Sequence, residues 1–271
     1  MSKKTKPSKH KKSITAQSSP ADRVFGLITT QILEQNYEEA VSNCERLLRY
    51  LPAYSPLRVD TLAHLGTAYG MLQNYPGSYK ALTEALALNP KDPYLWYNRG
   101  LGSRFTSRAG RSYRDFERAA ELNPSPVLKE EIAEALEFSR ELAEGVMKER
   151  GPDFTLDQLI EQEDHFQHGM EIMQTGKWEE AIQSFQAAIA LADCMPQPWG
   201  NMGVCLLMLE RYDESEEALK RALAIDRHYI LAKNNLVKLS EARRNGPPEM
   251  LGISDPFVSA GIEQGIHFIR E

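Results

Sequence analysis

Apolar residues recur along this chain at three- and four-residue intervals, the spacing of amphipathic helices, and short turns rich in Asn, Pro and Gly interrupt them at regular distances. A longer period overlies the helical one. Gly66 and Gly100 lie 34 residues apart, as do Gly169 and Gly203, and the interval returns in Ala85 with Ala119, Pro90 with Pro124, and Ala188 with Ala222. Self-similarity at such a period predicts stacked units, each hiding its apolar face only against its neighbours.

Aligned on the glycines, the first half of each unit reads Leu62, Leu65, Gly66, Tyr69; Trp96, Arg99, Gly100, Ser103; His165, His168, Gly169, Ile172; and Trp199, Met202, Gly203, Leu206. The second half reads Ser78, Leu82, Ala85, Pro90; Ser112, Phe116, Ala119, Pro124; and Ala181, Phe185, Ala188. A small residue at the Gly and Ala positions lets two antiparallel helices approach, larger residues a turn away fill the gaps, and proline stops the second helix. This pattern resembles the tetratricopeptide repeat (TPR). The resemblance implies an all-α solenoid of about five helix hairpins, at residues 21–54, 59–92, 93–126, 162–195 and 196–229, which together cover well over half the chain. The first copy is divergent. It keeps Tyr37, Ala40, Leu47 and Pro52, but has Ile28 where glycine is expected and Cys44 at the phenylalanine position.

The pattern lapses after Pro124. VLKEEIAEALEFSRELAEGVMKER reads as one long helix, GPDF interrupts it, and Thr155 with Gln158 forms a capping box for a helix running into the fourth copy. We therefore expect a lobe of three repeats at 21–126, a long solvating helix and linker at 127–161, and a lobe of two repeats with a capping helix at 162–245. Pro247 and Pro248 follow, and Asp255–Pro256 starts a short helix with Phe257, Val258, Ile262, Ile266 and Ile269 on one stripe. Residues 246–271 thus read as a linker and a C-terminal helix that must dock, in the chain's own groove or that of a second copy, because so short a helix is marginal alone.

Charge modifies this picture at one end. Residues 1–12 hold six lysines and no acid, leaving 26 basic against 38 acidic residues for the remainder. Residues 1–20 are too polar to fold alone, and contact with RNA or a ribosome through residues 1–12 is one use of such an arm. With 42% apolar content the chain can bury a core. No apolar run approaches the roughly 20 residues of a membrane span, so no membrane contact and a cytoplasmic location are expected. Cys44, Cys194 and Cys205 form no CxxC pair and read as packing residues.

Catalytic fingerprints are lacking, and the expectation is a protein without enzymatic activity, cofactor or metal. His165 and His168, beside Glu161 and Asp164, occupy large-residue slots of the repeat and are expected to pack. Glu179 with Glu180 and Glu216 with Glu217 begin second helices, where they favour the positive end of the helix dipole.

What remains is the concave wall, where the TPR resemblance implies a peptide-binding groove. By motif position it carries Tyr94, Tyr97, Asn98, Leu101, Arg104, Phe105, Phe166, Met170, Met173, Asn201 and Met208, with Phe25 and Leu207 nearby. One TPR subgroup holds acidic chaperone tails with lysine, asparagine and arginine. Here only Asn98, Asn201 and Asn235 match, while Phe25, Thr29, Ala63, Tyr94, Phe166, Met170 and Leu231 replace the basic partners. The expected role is an adaptor for a protein or peptide partner with an apolar or mixed recognition segment.

Overall fold

In the computed structural model, residues 19–247 are described. The lysine arm and the C-terminal stripe from Phe257 to Ile269 lie outside them. The described residues form twelve helices: α1 (Pro20–Leu33), α2 (Tyr37–Leu48), α3 (Pro56–Met71), α4 (Tyr75–Leu88), α5 (Pro93–Phe105), α6 (Ala109–Glu121), α7 (Pro126–Arg150), α8 (Leu156–Gln174), α9 (Trp178–Leu191), α10 (Pro196–Met208), α11 (Tyr212–Ile225) and α12 (Ile230–Asn245). Five hairpins result, α1–α2, α3–α4, α5–α6, α8–α9 and α10–α11.

Local chemistry fixes where these helices begin and turn. Proline occupies the first turn of α1, α3, α5, α7 and α10, where its missing N–H is harmless. Ser19 with Asp22, and Thr155 with Gln158, close capping boxes on α1 and α8. Between the helices of every hairpin one residue takes the left-handed conformation: Gln35, Gln73, Ser107, Gly176 and Glu210, with φ between 55° and 74°. That residue reverses the chain within three or four positions.

Close approach inside the hairpins explains the glycine spacing. A Cβ added at Gly66, Gly100, Gly169 or Gly203 would stand 2.5, 2.8, 2.5 or 2.7 Å from Leu82, Phe116, Phe185 or Leu219, sixteen residues on in each case. Those four large side chains are 1% exposed or less. Residues 28 and 44 have the same separation, and both are fully buried in one cluster with Leu47, Leu65 and Ala81. The divergent first copy thus exchanges large for small across the same contact. Trp96 Nε1 donates to the Pro90 carbonyl at 2.8 Å, and Trp199 Nε1 to Asp193 at 2.6 Å, so an indole at the same position ties two repeats to the preceding turn.

The break in the array is packed rather than open. The sequence suggests that α7 is a solvating connector, but it buries Leu128, Ile132, Ala135, Ser139 and Ala143 against α6, and Ser139 Oγ lies 3.1 Å from Ser112 Oγ. It is the first helix of a hairpin whose second helix is missing. In its place α8 leans back on α6, with Leu159 and Ile160 against Gly110. Glu163 accepts from the backbone N–H groups of Gly110 (2.8 Å) and Arg111 (3.0 Å), and the Arg111 guanidinium pairs with Asp164. At the other end α12 closes the array with Ala232, Leu239 and Ala242 and leaves Val237 73% exposed.

The histidines depart from expectation. His168 is exposed, and His165 is half-exposed, 3.8 Å from Glu161. Among the described residues no three His, Cys, Asp or Glu side chains gather as a metal site, and no helix is long and apolar enough to cross a membrane.

Candidate functional site

Short side chains create a cleft between α3, α4 and α5, within the segment 21–126 expected as lobe 1. Gly66, Gly70 and Gly102 line it from α3 and α5, and Ser78 from α4, so that little projects into the space between these helices. The hollow measures about 450 Å³. Thr67, Met71, Gln73, Tyr75 and Leu82 complete one side of it, and Asn98, Leu101 and Phe105 the other. Tyr75 and Phe105 stack with ring centroids 4.8 Å apart and planes 14° from parallel, forming one wall, while Met71 stands 57% exposed at the mouth.

Two polar groups give this apolar hollow its chemistry. Asn98 is half-buried and makes no hydrogen bond to another described residue, so its amide can donate to and accept from a peptide backbone. Arg104, beside Phe105, spreads its guanidinium over the Phe105 and Phe138 rings at 5.6 and 5.4 Å and has no carboxylate partner among the described residues. Among the described residues no ionised side chain lines the cleft itself.

Behind the cleft, a buried ion pair holds its back wall in place. Arg99 donates to both carboxylate oxygens of Asp115, at 2.8 and 2.7 Å, and its guanidinium lies 4.9 Å from the Trp96 ring and 5.5 Å from Tyr79. Arg108 also lies over the Tyr79 ring, at 3.9 Å. This fastens α5 to α6 and fixes the face of α5 that bears Asn98 and Leu101.

The eleven residues expected on a single concave wall divide into groups. Asn98, Leu101 and Phe105 meet in the cleft, with Arg104 at its edge. Tyr94 is half-exposed, its hydroxyl 3.2 Å from Ser125 Oγ. Tyr97 instead turns toward Phe116 (5.6 Å between centroids) and the Ala119–Leu128–Ile132 cluster, and burial, followed by the nearby Glu131 carboxylate, raises its phenol. Phe166, Met170 and Met173 are at most 4% exposed in the core of lobe 2, and Asn201 is spent on the Met170 sulfur at 2.9 Å. Met208 packs on the α10–α12 cluster. Motif position gives the direction of a side chain but not how far its neighbours cover it. Thr67, Met71, Tyr75 and Ser78 were not anticipated; the run of small residues at 66, 70, 78 and 102 is the sequence signal that marks them.

A second hollow, about 520 Å³, lies between Val146 and Arg150 of α7, Glu163, Phe166 and Gln167 of α8, and residues 194–197 at the start of α10. Two of its charged groups are engaged: Glu163 holds α6, and Arg150 donates to Gln162 Oε1 and to the Val146 carbonyl. Burial pushes the Glu163 carboxyl up to about 7, against the opposing pull of the two N–H groups and Arg108.

Comparison with known proteins places these features in context. Residues 173–236 match the family model described as tetratricopeptide repeat. An uncharacterised protein of Methanocaldococcus jannaschii is 32% identical over 71 residues, 26% of this chain and 83% of that protein. The peroxisomal targeting signal receptor of Yarrowia lipolytica is 32% identical over 80 residues, 29% of this chain but only 13% of the receptor. Among solved structures, the P58(IPK) TPR domain aligns over 83% of this chain and 66% of its own length, with 14% identity and a TM-score of 0.46.

Proposed function

The chain belongs to the tetratricopeptide repeat family, a family of protein-interaction scaffolds, and from that premise we propose that it is a non-catalytic adaptor holding a peptide or helix of another protein in the lobe 1 cleft. The observation that carries this reading is an uncharged hollow edged by a half-buried amide and a guanidinium that both lack a hydrogen-bonding or ionic partner among the described residues. An apolar side chain of the guest fills the space beside Tyr75 and Phe105, Asn98 pairs with its main chain, and Arg104 takes a carboxylate. Arg104 already rests on two aromatic rings, so little side-chain freedom is lost when it binds.

Selection of a displayed peptide library on the full chain tests this. The recovered peptides are expected to combine an aromatic or large aliphatic residue with a nearby acid. Asn98→Ala should weaken them by roughly 2- to 10-fold, the range for one hydrogen bond. Leu101→Asp should abolish capture while leaving the helical circular dichroism unchanged. Peptides that bind wild type and both variants alike would place the interaction elsewhere.

A further inference from the structure

We propose that the lobe 1 cleft is occupied in the resting protein by the chain's own C-terminal segment, residues 249–271, with Phe257 in the hollow and Asp255 against Arg104. A partner then binds by displacing it. This inference rests on the reading of the cleft as a peptide site and adds its regulation.

Three observations converge on this occupant. The segment carries the apolar stripe Phe257, Val258, Ile262, Ile266 and Ile269, which is too short to stand as a helix in water without a surface to cover it. Its charge is the one the cleft lacks: Glu249, Asp255, Glu263 and Glu271 stand against a single Arg270, whereas among the described residues the cleft lining has no ionised group and its edge bears Arg104 without an ion pair. Asp255 stands two positions before Phe257, so an acid and an aromatic arrive together, as the guanidinium beside an apolar hollow requires.

Reach permits the contact. α12 ends at Asn245, Gly246 turns the chain with φ 85°, and Pro247 and Pro248 prevent the helix from continuing. Twenty-four residues follow Pro247. They span roughly 80 Å extended or about 36 Å as a helix, and helices packed about 8–10 Å apart put several stacked hairpins within the extended reach. The contacts described above all join residues within 19–247, so a variant that ends at Pro247 retains every partner in them.

The test uses a fluorescein-labelled synthetic peptide of residues 249–271, added to the full chain and to a variant ending at Pro247. Fluorescence anisotropy should give at least about tenfold tighter binding to the shortened variant, because a tail that occupies nine-tenths of the clefts lowers apparent affinity by that factor. Phe257→Ala or Asp255→Asn in the peptide, and Asn98→Ala or Arg104→Ala in the shortened variant, should each weaken it. Sedimentation should report the full chain as a monomer. Equal binding to both proteins, no binding to either, insensitivity to Asn98 and Arg104, or a dimer that exchanges tails would each overturn the proposal. Library peptides that still require Asn98 in the shortened variant would show that the cleft is a peptide site even where the tail fails. Library peptides indifferent to it would remove the underlying reading instead.

Discussion

The five hairpins meet one packing requirement with two different pairs of side chains. Four pair glycine with Leu or Phe sixteen positions later, and the first pairs Ile28 with Cys44. In both arrangements the summed volume across the contact is what counts, as expected for an interior packed at crystal density. Gly169 is a sensitive place to see this, since an added Cβ would sit 2.5 Å from the Phe185 ring. Gly169→Ala should cost about 1–3 kcal/mol in urea unfolding by overpacking. Phe185→Cys alone should cost about 3–5 kcal/mol by leaving a cavity. The pair Gly169→Ile with Phe185→Cys rebuilds the first hairpin's arrangement, and its cost should fall well below the sum of the two single changes. A strictly additive result would mean that the sixteen-residue contact does not set the hairpin. The exchange also shows why a search for glycine alone passes over the first copy: the sequence signature records one member of a pair, and physics constrains both.

The paired helices α5 and α6 raise a different issue, because the residue that fixes their relative position is charged. Arg99 sits in a slot that Leu65 and Met202 fill in other repeats, and Asp115 answers it from α6 with no exposure. Asp115→Ala strands a guanidinium between two aromatic rings, and a loss of about 3–5 kcal/mol is expected on thermal or urea unfolding. Arg99→Leu together with Asp115→Leu should restore most of it, because a well-packed apolar pair of similar volume replaces the ions without the cost of dehydrating them. If the double variant were as unstable as the single one, the pair would have to contribute more than its own neutralisation. At this scale the sequence was legible in its periods and less so in its exceptions. The 34-residue interval marked the hairpins, and local pattern outside it marked the long α7, the Thr155 cap and the α12 segment, because each depends on residues close in sequence. The burial of Met170, the inward turn of Tyr97 and the cleft beside Tyr75 depend on what a neighbouring helix covers, and that information sits 16 to 31 residues away.

Across the whole molecule, the contact that matters most was the least visible, because Glu163 and its partners Gly110 and Arg111 are more than fifty residues apart. α6 begins with Arg108 at its cap position and no side-chain cap of its own, so its first-turn N–H groups would be left unsatisfied if α8 did not supply a carboxylate. Beside the packing of Leu159 and Ile160 on Gly110 and the Arg111–Asp164 and Arg114–Asp157 pairs, α6 and α8 are thereby joined through a buried acid, 8% exposed. Burial pushes that carboxyl up to about 7 from its ordinary 4.5, so the folded chain holds the proton more tightly than the unfolded chain does. The contribution of Glu163 to stability is therefore complete below 4.5 and is lost as pH rises through 7. Scanning calorimetry between pH about 5 and 8 should show the melting temperature falling as pH rises through this interval. In Glu163→Gln, whose side chain turns one acceptor into a donor facing an N–H, Tm should be lower throughout and its slope in this interval flattened. A wild-type Tm that climbs with pH over the same range would mean that the two N–H groups and Arg108 outweigh burial. The joint would then be held by an ionised carboxylate and would tighten, rather than loosen, above neutrality.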